Sequence, residues 1–274
     1  LAELRALPAE RLLEATRGHP PQHFPGTIDG YFLPRSPEKL YAAGEQAHVP
    51  LLVGWNSEEA SYAVLLGGQE PTVEQYRTVV RERFGEWAEQ VLQLYPAASD
   101  EDVIAAATDL ASDIFLGYST WKWADLHGRT GGQPVYRYLY AHPRPPMRPE
   151  MGDAVGGLAG GVLRGEEAEE QRLPPARGAV HSADIEYFMG NLATNMVYAW
   201  TDEDDQLSEL MQQYYANFIR SGDPNDPGLP PWPPANAGET VQLMRLDVES
   251  AMEPDRHRPR YVLLDELIGG TLAR

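Results

Sequence analysis

The sequence predicts an α/β protein: a mostly parallel sheet flanked by helices. Three stretches carry that expectation. Pro50-Leu51-Leu52-Val53-Gly54 is a short, continuously apolar run bounded by Pro and Gly, the pattern of a strand buried on both faces. Gln133-Pro134-Val135-Tyr136-Arg137-Tyr138-Leu139-Tyr140 has the aromatic and β-branched composition of a strand. Between them Val103, Ile104, Ala107, Leu110, Ala111, Ile114, Phe115 and Tyr118 recur at helical spacing as one apolar stripe.

Composition narrows the function. The 274 residues fit one large domain or two small ones, and 42% hydrophobic content is enough for a sizeable core. A formal net charge of −19 repels phosphate backbones and anionic lipid surfaces, which argues against nucleic acid or a membrane surface as partner. Cysteine is absent, so disulfides, thiolate metal sites and a Cys nucleophile are excluded, while the compartment stays open. No stretch reaches the ~18 apolar residues of a membrane span. The start, Leu1-Ala2-Glu3-Leu4-Arg5, has neither an initiator Met nor a signal-peptide pattern, so a processed or truncated piece is expected.

In chain order, Leu4, Leu7, Leu12, Leu13 and Ala15 predict an amphipathic helix over 1–17, interrupted or restarted at Pro8 and broken by His19-Pro20-Pro21 and Phe24-Pro25-Gly26. Residues 27–34 read as a turn into a short extended piece. Ser36-Pro37 is a good helix start, with Gly44 as the stop. After the strand ending at Gly54-Trp55 come Glu58 and Glu59. Residues 71–95 predict two short helices around Gly85, and Ser99-Asp100 opens a long helix to about Gly128. Residues 143–177 form an irregular stretch rich in Pro and Gly with the acidic patch Glu166-Glu167-Ala168-Glu169-Glu170. Its glycines at 152, 156, 157, 160, 161 and 165 lack the strand-then-helix context of a phosphate cradle, so no nucleotide cofactor is implied. A short helix follows over 183–189. Thr201 caps another, with Leu207, Leu210, Met211, Tyr214, Tyr215 and Phe218 on its apolar face and Gly222 at its end. Residues 242–246 and 260–264 read as closing strands.

The candidate chemistry sits in two stretches. Gly178-Ala179-Val180-His181-Ser182-Ala183-Asp184-Ile185-Glu186-Tyr187 puts an imidazole directly after a small-residue turn, where it can reach a substrate. Asn56-Ser57-Glu58-Glu59-Ala60-Ser61-Tyr62 puts two carboxylates at the carboxyl end of a strand, the end of a parallel sheet where functional groups cluster. Read on their own, Glu58 and Glu59 are also ordinary first-turn helix acids. No His-x-x-x-His is present, and His127 and His142 lack spaced partners, so no metal site is expected.

Residues 53–62, 178–190, and 217–233 with its Asn217-Phe218-Ile219-Arg220-Ser221-Gly222-Asp223-Pro224-Asn225 and Pro231-Trp232-Pro233, resemble the type B carboxylesterases, the cholinesterase and para-nitrobenzyl esterase family of α/β-hydrolases. The likeness runs from about residue 1 to about 265 and is weakest over 143–177. It implies that residues 1–274 are the C-terminal part of a single α/β-hydrolase domain with large helical insertions. It makes His181 the general base and Glu59 the triad acid, with Glu58 the competitor one residue earlier. It also makes Phe115 and Trp121 candidate walls of the acyl pocket, and the 143–177 loop a shaper of the gorge mouth. Asp184 and Glu186 match acidic positions of the family's histidine segment; two apart, they point to different helix faces, so one is expected toward the site and the other toward solvent.

A serine hydrolase also needs a nucleophile and an oxyanion hole. No serine here lies in Gly-x-Ser-x-Gly, Ser61 and Ser182 included, and the Gly-Gly pairs at 67, 131, 156 and 160 all follow the acid. Chain order in this fold is Ser, acid, His. The nucleophile and oxyanion loop are therefore expected on an N-terminal portion upstream of Leu1, the substrate being a small-molecule ester. The competing expectation is a non-catalytic esterase-like binding or adhesion module; a third is a stand-alone α/β protein.

Overall fold

The computed structural model describes residues 2–16, 26–157, 161–238 and 241–272, the last four by backbone alone. The chain divides into two compact units, residues 1–40 and 41–274. In the first, Pro8 splits the predicted N-terminal helix into α1 (Ala2–Arg5) and α2 (Ala9–Thr16), neither with a buried residue. The breaks at His19-Pro20-Pro21 and Phe24-Pro25 lie outside the described residues. The extended piece over 27–34 is instead a turn in which the Asp29 carboxylate accepts from the backbone of Tyr31 and Leu33. Helix α3 (Pro37–Ala42) starts where Ser36-Pro37 places it.

The second unit holds a four-stranded sheet in the order β1 (Leu51–Asn56), β2 (Val135–Tyr140), β5 (Gln242–Leu246), β6 (Ala251–Pro254). Strands β1, β2 and β5 are parallel, with Leu51 opposite Val135 and Tyr138 opposite Met244; β6 is antiparallel to β5. All six residues of β2 are buried, and the period of two sorts them by face. Tyr136, Tyr138 and Tyr140 pack with Tyr187, Met211, Tyr214 and Trp232 on one side. Leu139 joins Trp55, Trp121 and Tyr261 on the other, where Arg137 pairs with Asp255 at 2.9 Å and lies over the Trp55 ring. Gly54 permits this closeness: any Cβ there would collide with the ring and carbonyl of Tyr138.

Between β1 and β2 run α4 (Tyr62–Leu66), α5 (Val73–Phe84), α6 (Ala88–Leu94), α7 (Asp100–Ser112) and α8 (Tyr118–Thr130). They close a helical core around Leu66, Tyr76, Val80, Val91, Tyr95, Val103 and Leu110. Ser99 and Asp102 cap α7 reciprocally. The predicted helix to about Gly128 is real but not uniform: Asp113–Gly117 forms a π turn between α7 and α8. Before and after the site come the small hairpin β3 (Val155–Gly156) and β4 (Val162–Leu163), α9 (Glu166–Glu170), α10 (Ile185–Met189) and α11 (Asp202–Ser221). The stretch over 143–177 is thus not wholly irregular. Its acidic patch is α9, tied down by buried Ala168.

One expected strand is wrong. Residues 260–264 lie inside α12 (Arg258–Leu272), and the closing strand is β6. The run Tyr261-Val262-Leu263-Leu264 is apolar enough for either, and burial decides: Tyr261 and Leu264, three apart, enter the core while Val262 faces solvent. Among the described residues, no helix is long and apolar enough to cross a membrane.

Candidate active site

The site forms where the carboxyl end of β1 meets residues 177–187. Past Asn56 the chain makes one more sheet contact, Ser57 N–H donating to the Tyr140 carbonyl. The segment 178–180 then lies along it. Glu58 and Val180 form a parallel bridge, the Glu58 N–H donates to the Ala179 carbonyl at 2.8 Å, and the Ala179 N–H donates to Ser57 Oγ at 2.9 Å. Asn56 Nδ2 closes the seam by donating to the Val180 carbonyl at 2.8 Å. Gly178 is needed because a Cβ would strike Ser57 Oγ.

This seam delivers His181 to Glu59. His181 Nδ1 lies 2.6 Å from Glu59 Oε2. A carboxylate can only accept, so Nδ1 carries a proton, and in the neutral form of the ring the lone pair lies at Nε2. Glu59 is 3% exposed, and its other oxygen accepts the Asn56 N–H at 2.7 Å. Burial holds its carboxyl above the ordinary carboxylate value, against the opposing pull of those two hydrogen bonds. The His181 side chain is 30% exposed, and among the described residues nothing bonds Nε2. The acid turn is anchored to α7: Ser112 Oγ bonds both the N–H and carbonyl of Ala60, and Thr108 Oγ1 accepts from the Tyr62 N–H.

Each expected residue has a definite place. Glu58 accepts the Arg177 N–H at 3.1 Å, so its carboxylate braces the seam while Glu59 meets the imidazole. Phe115, on the π turn and 51% exposed, sets its ring edge-on to His181 with centroids 5.4 Å apart. Trp121 does not join them. It is 2% exposed, stacked on Tyr118 and Tyr261 within the core, so it is a packing residue beneath the sheet and not a pocket wall. The expectation that either Asp184 or Glu186 is solvated also fails. Asp184 Oδ1 accepts from Asn56 Nδ2 at 3.2 Å, its carboxyl pushed up by burial, and Glu186 is paired with Arg144 at 2.7 Å. Asn56 and Arg144 escaped the sequence reading. Asn56 carries one weak signal, a polar residue closing an apolar strand; Arg144 carries none. Among the described residues, no group of three His, Asp or Glu side chains is arranged to hold a metal ion.

An imidazole oriented by a buried carboxylate on Nδ1 and open at Nε2 is equipped to take a proton from a hydroxyl and return it to a leaving group. The comparisons agree with that chemistry. Residues 1–262 match the model of the carboxylesterase family, and the chain belongs to that family. It is 27% identical over 268 residues to carboxylesterase 5A of Canis lupus familiaris, a match covering 89% of this chain and 40% of that protein. It is 28% identical over 238 residues to the pyrethroid hydrolase Ces2e of Rattus norvegicus, covering 82% of this chain and 37% of that protein. The solved structure of a PNB esterase superposes with a TM-score of 0.61 at 23% identity, covering 96% of this chain and 50% of that one. The fold is therefore that of an α/β-hydrolase, and the chain spans half or less of the length of these proteins.

Proposed function

We propose that this chain contributes the acid and base of a carboxylic ester hydrolase working through a serine acyl-enzyme. His181 is the general base and acid, Glu59 holds its tautomer and stabilises the imidazolium, and Phe115 lines the acyl side. The nucleophilic serine and the oxyanion donors come from an N-terminal portion of the same α/β-hydrolase domain, carrying Gly-x-Ser-x-Gly. Residues 1–274 alone are then inert toward esters, since neither the covalent step nor the oxyanion stabilisation can be made without those parts.

The observation that carries the reading is the 2.6 Å contact between His181 Nδ1 and Glu59 Oε2 beneath an open Nε2. The esterase and hydrolase names of the relatives support a small-molecule ester as substrate class. A non-catalytic module has less support, because both residues are present and bonded to each other.

The test is labelling by a fluorescent organophosphonate. The 274-residue chain is expected to stay unlabelled. The same chain joined to a portion carrying Gly-x-Ser-x-Gly is expected to be labelled stoichiometrically and to hydrolyse p-nitrophenyl esters. Stoichiometric labelling of the isolated, monomeric chain would overturn the division of labour and direct attention to Ser61 and Ser182. Failure of the joined protein to react would favour the non-catalytic module.

A further inference from the structure

His181 is followed by a residue in an unusual conformation. Ser182 has φ +63°, the one positive φ of a non-glycine among the described residues. A side chain in this left-handed region persists only where its surroundings hold it there, and such residues cluster at functional sites. A buried guanidinium grips its carbonyl, which also accepts the Ile185 N–H at 3.4 Å. Arg144 Nη2 donates to the Ser182 carbonyl at 3.1 Å and to Glu186 Oε2 at 2.7 Å. Glu186 is held in turn by Asn195 Nδ2 at 2.8 Å on its other oxygen. The guanidinium also lies 5.2 Å from the centre of the Tyr198 ring. The Arg144 and Glu186 side chains are only 10% and 16% exposed.

One arginine thus ties the turn immediately after the base to the first turn of α10, from a strand-exit loop far away in sequence. A surface ion pair that merely added stability would have no reason to grip that carbonyl. Since the Ser182 backbone sets the direction in which the chain leaves His181, releasing it would let the turn relax to an ordinary φ and carry the imidazole with it. We infer that Arg144 is a positioning residue for His181, acting through the Ser182 turn. The inference rests on the proposed role of the His181–Glu59 pair, but it concerns geometry that can be read without turnover.

The readout is the far-downfield Nδ1–H proton resonance of His181 in the 274-residue chain, assigned by its loss in His181→Gln. It should be present in the unaltered chain and absent or broadened in Arg144→Gln at unchanged far-ultraviolet dichroism. It should return in the double variant Arg144→Gln/Ser182→Gly, because glycine adopts positive φ freely and no longer needs the guanidinium. In the protein joined to its nucleophile portion, Arg144→Gln should lower kcat about 100-fold with KM little changed, the loss expected of a misplaced catalytic group. A resonance undisturbed in Arg144→Gln overturns the inference. Loss that Ser182→Gly does not repair also overturns it, since Arg144 would then act elsewhere than through the turn. If Arg144→Gln does not fold, Arg144→Lys, which keeps the charge but not the two-way grip, is judged by the same outcomes. Absence of the resonance from the unaltered chain sinks the His181–Glu59 reading itself, so the two failures are told apart.

Discussion

Two buried carboxylates, Glu59 at the carboxyl end of the sheet and Asp113 in the helical layer, start from the same physics and end with different work. Burial pushes both carboxyls up, that of Asp113 to about 7. Both are hydrogen-bonded: Glu59 by the Asn56 N–H and His181, Asp113 by the Tyr95 hydroxyl at 2.8 Å. The difference lies in the partner. Tyr95 is sealed in the core, and its own proton is held more firmly than in water, so the Asp113 pair has nowhere to pass a proton. His181 is a partner with two nitrogens, one bonded to Glu59 and the other open. Desolvation by itself marks a buried carboxylate; a site requires a partner that carries the effect to an accessible atom.

That contrast can be broken by removing each partner from the assembled enzyme. The largest effect belongs to His181→Ala, expected to lower kcat toward p-nitrophenyl esters by roughly 10⁴ to 10⁶ while leaving the fold intact, since the side chain is partly exposed and fills no core space. A loss below tenfold would remove His181 from the role of base. Glu59→Gln should come next, at about 10⁴, through loss of the negative charge and disturbance of the tautomer. Glu58→Gln sharpens the comparison by one residue. Its partner is a backbone N–H that an amide oxygen also satisfies, so turnover should change by only a few-fold, within the range of a neutral-for-charged hydrogen bond. If the two Gln variants exchanged ranks, the acid would be Glu58.

Phe115→Ala should be milder than Glu59→Gln. The half-exposed ring gives His181 an edge contact and is proposed to line the acyl side, so acyl-group preference should shift and kcat/KM fall by roughly fivefold, the scale of about 1 kcal/mol of aromatic contact. An unchanged ranking of short- and long-chain esters in this variant would mean that Phe115 does not border the acyl group.

How far the sequence disclosed these places follows from the range of the interactions. The stretches around Glu59 and His181 stand out because each is a local pattern, a strand end in one case and a small-residue turn before a short helix in the other, but the roles given to the two residues come from the family resemblance. Capping residues such as Ser99 and Thr201 were legible from local pattern, their partners being three residues away. Phe115 and Tyr118 close the apolar stripe of the long helix, and the family resemblance alone pairs Phe115 with Trp121 as pocket walls. The π turn inserts an extra residue there, and each residue turns a helix by about 100°. Phe115 is thereby rotated outward, while Tyr118 and Trp121 stay on the buried stripe. Arg144 gave no local sign, since its grip on Ser182 and Glu186 spans about forty residues. The strand expected at 260–264 failed because four adjacent bulky residues carry no period, and the choice was made by what packs against them.

The smallest expected effect on turnover, and the sharpest use of the comparison, is Asp113→Asn. The substitution keeps an oxygen to accept from Tyr95 and removes the charge that burial opposes. Arg260 offers little counterweight: it is 3.9 Å from Asp113 but 3.0 Å from Asp109, its nearer partner. The sign follows from proton uptake. With the carboxyl at about 7 in the folded chain against an ordinary 3.8 unfolded, the folded state binds more protons between those values, so this group makes stability fall as pH rises from about 4 to 7. Asn does not titrate and lacks that slope. The stability difference, variant minus unaltered chain, should therefore grow in favour of the variant from about pH 4 to about pH 7 and level off above, measured as the urea midpoint. Turnover of the assembled enzyme should stay within about twofold, as for a substitution outside the reacting groups. A midpoint difference flat with pH would mean that Asp113 is ionised in the folded chain throughout. A large loss of turnover would mean that the π turn transmits the state of Asp113 to Phe115 and His181, and that the helical layer takes part in the site.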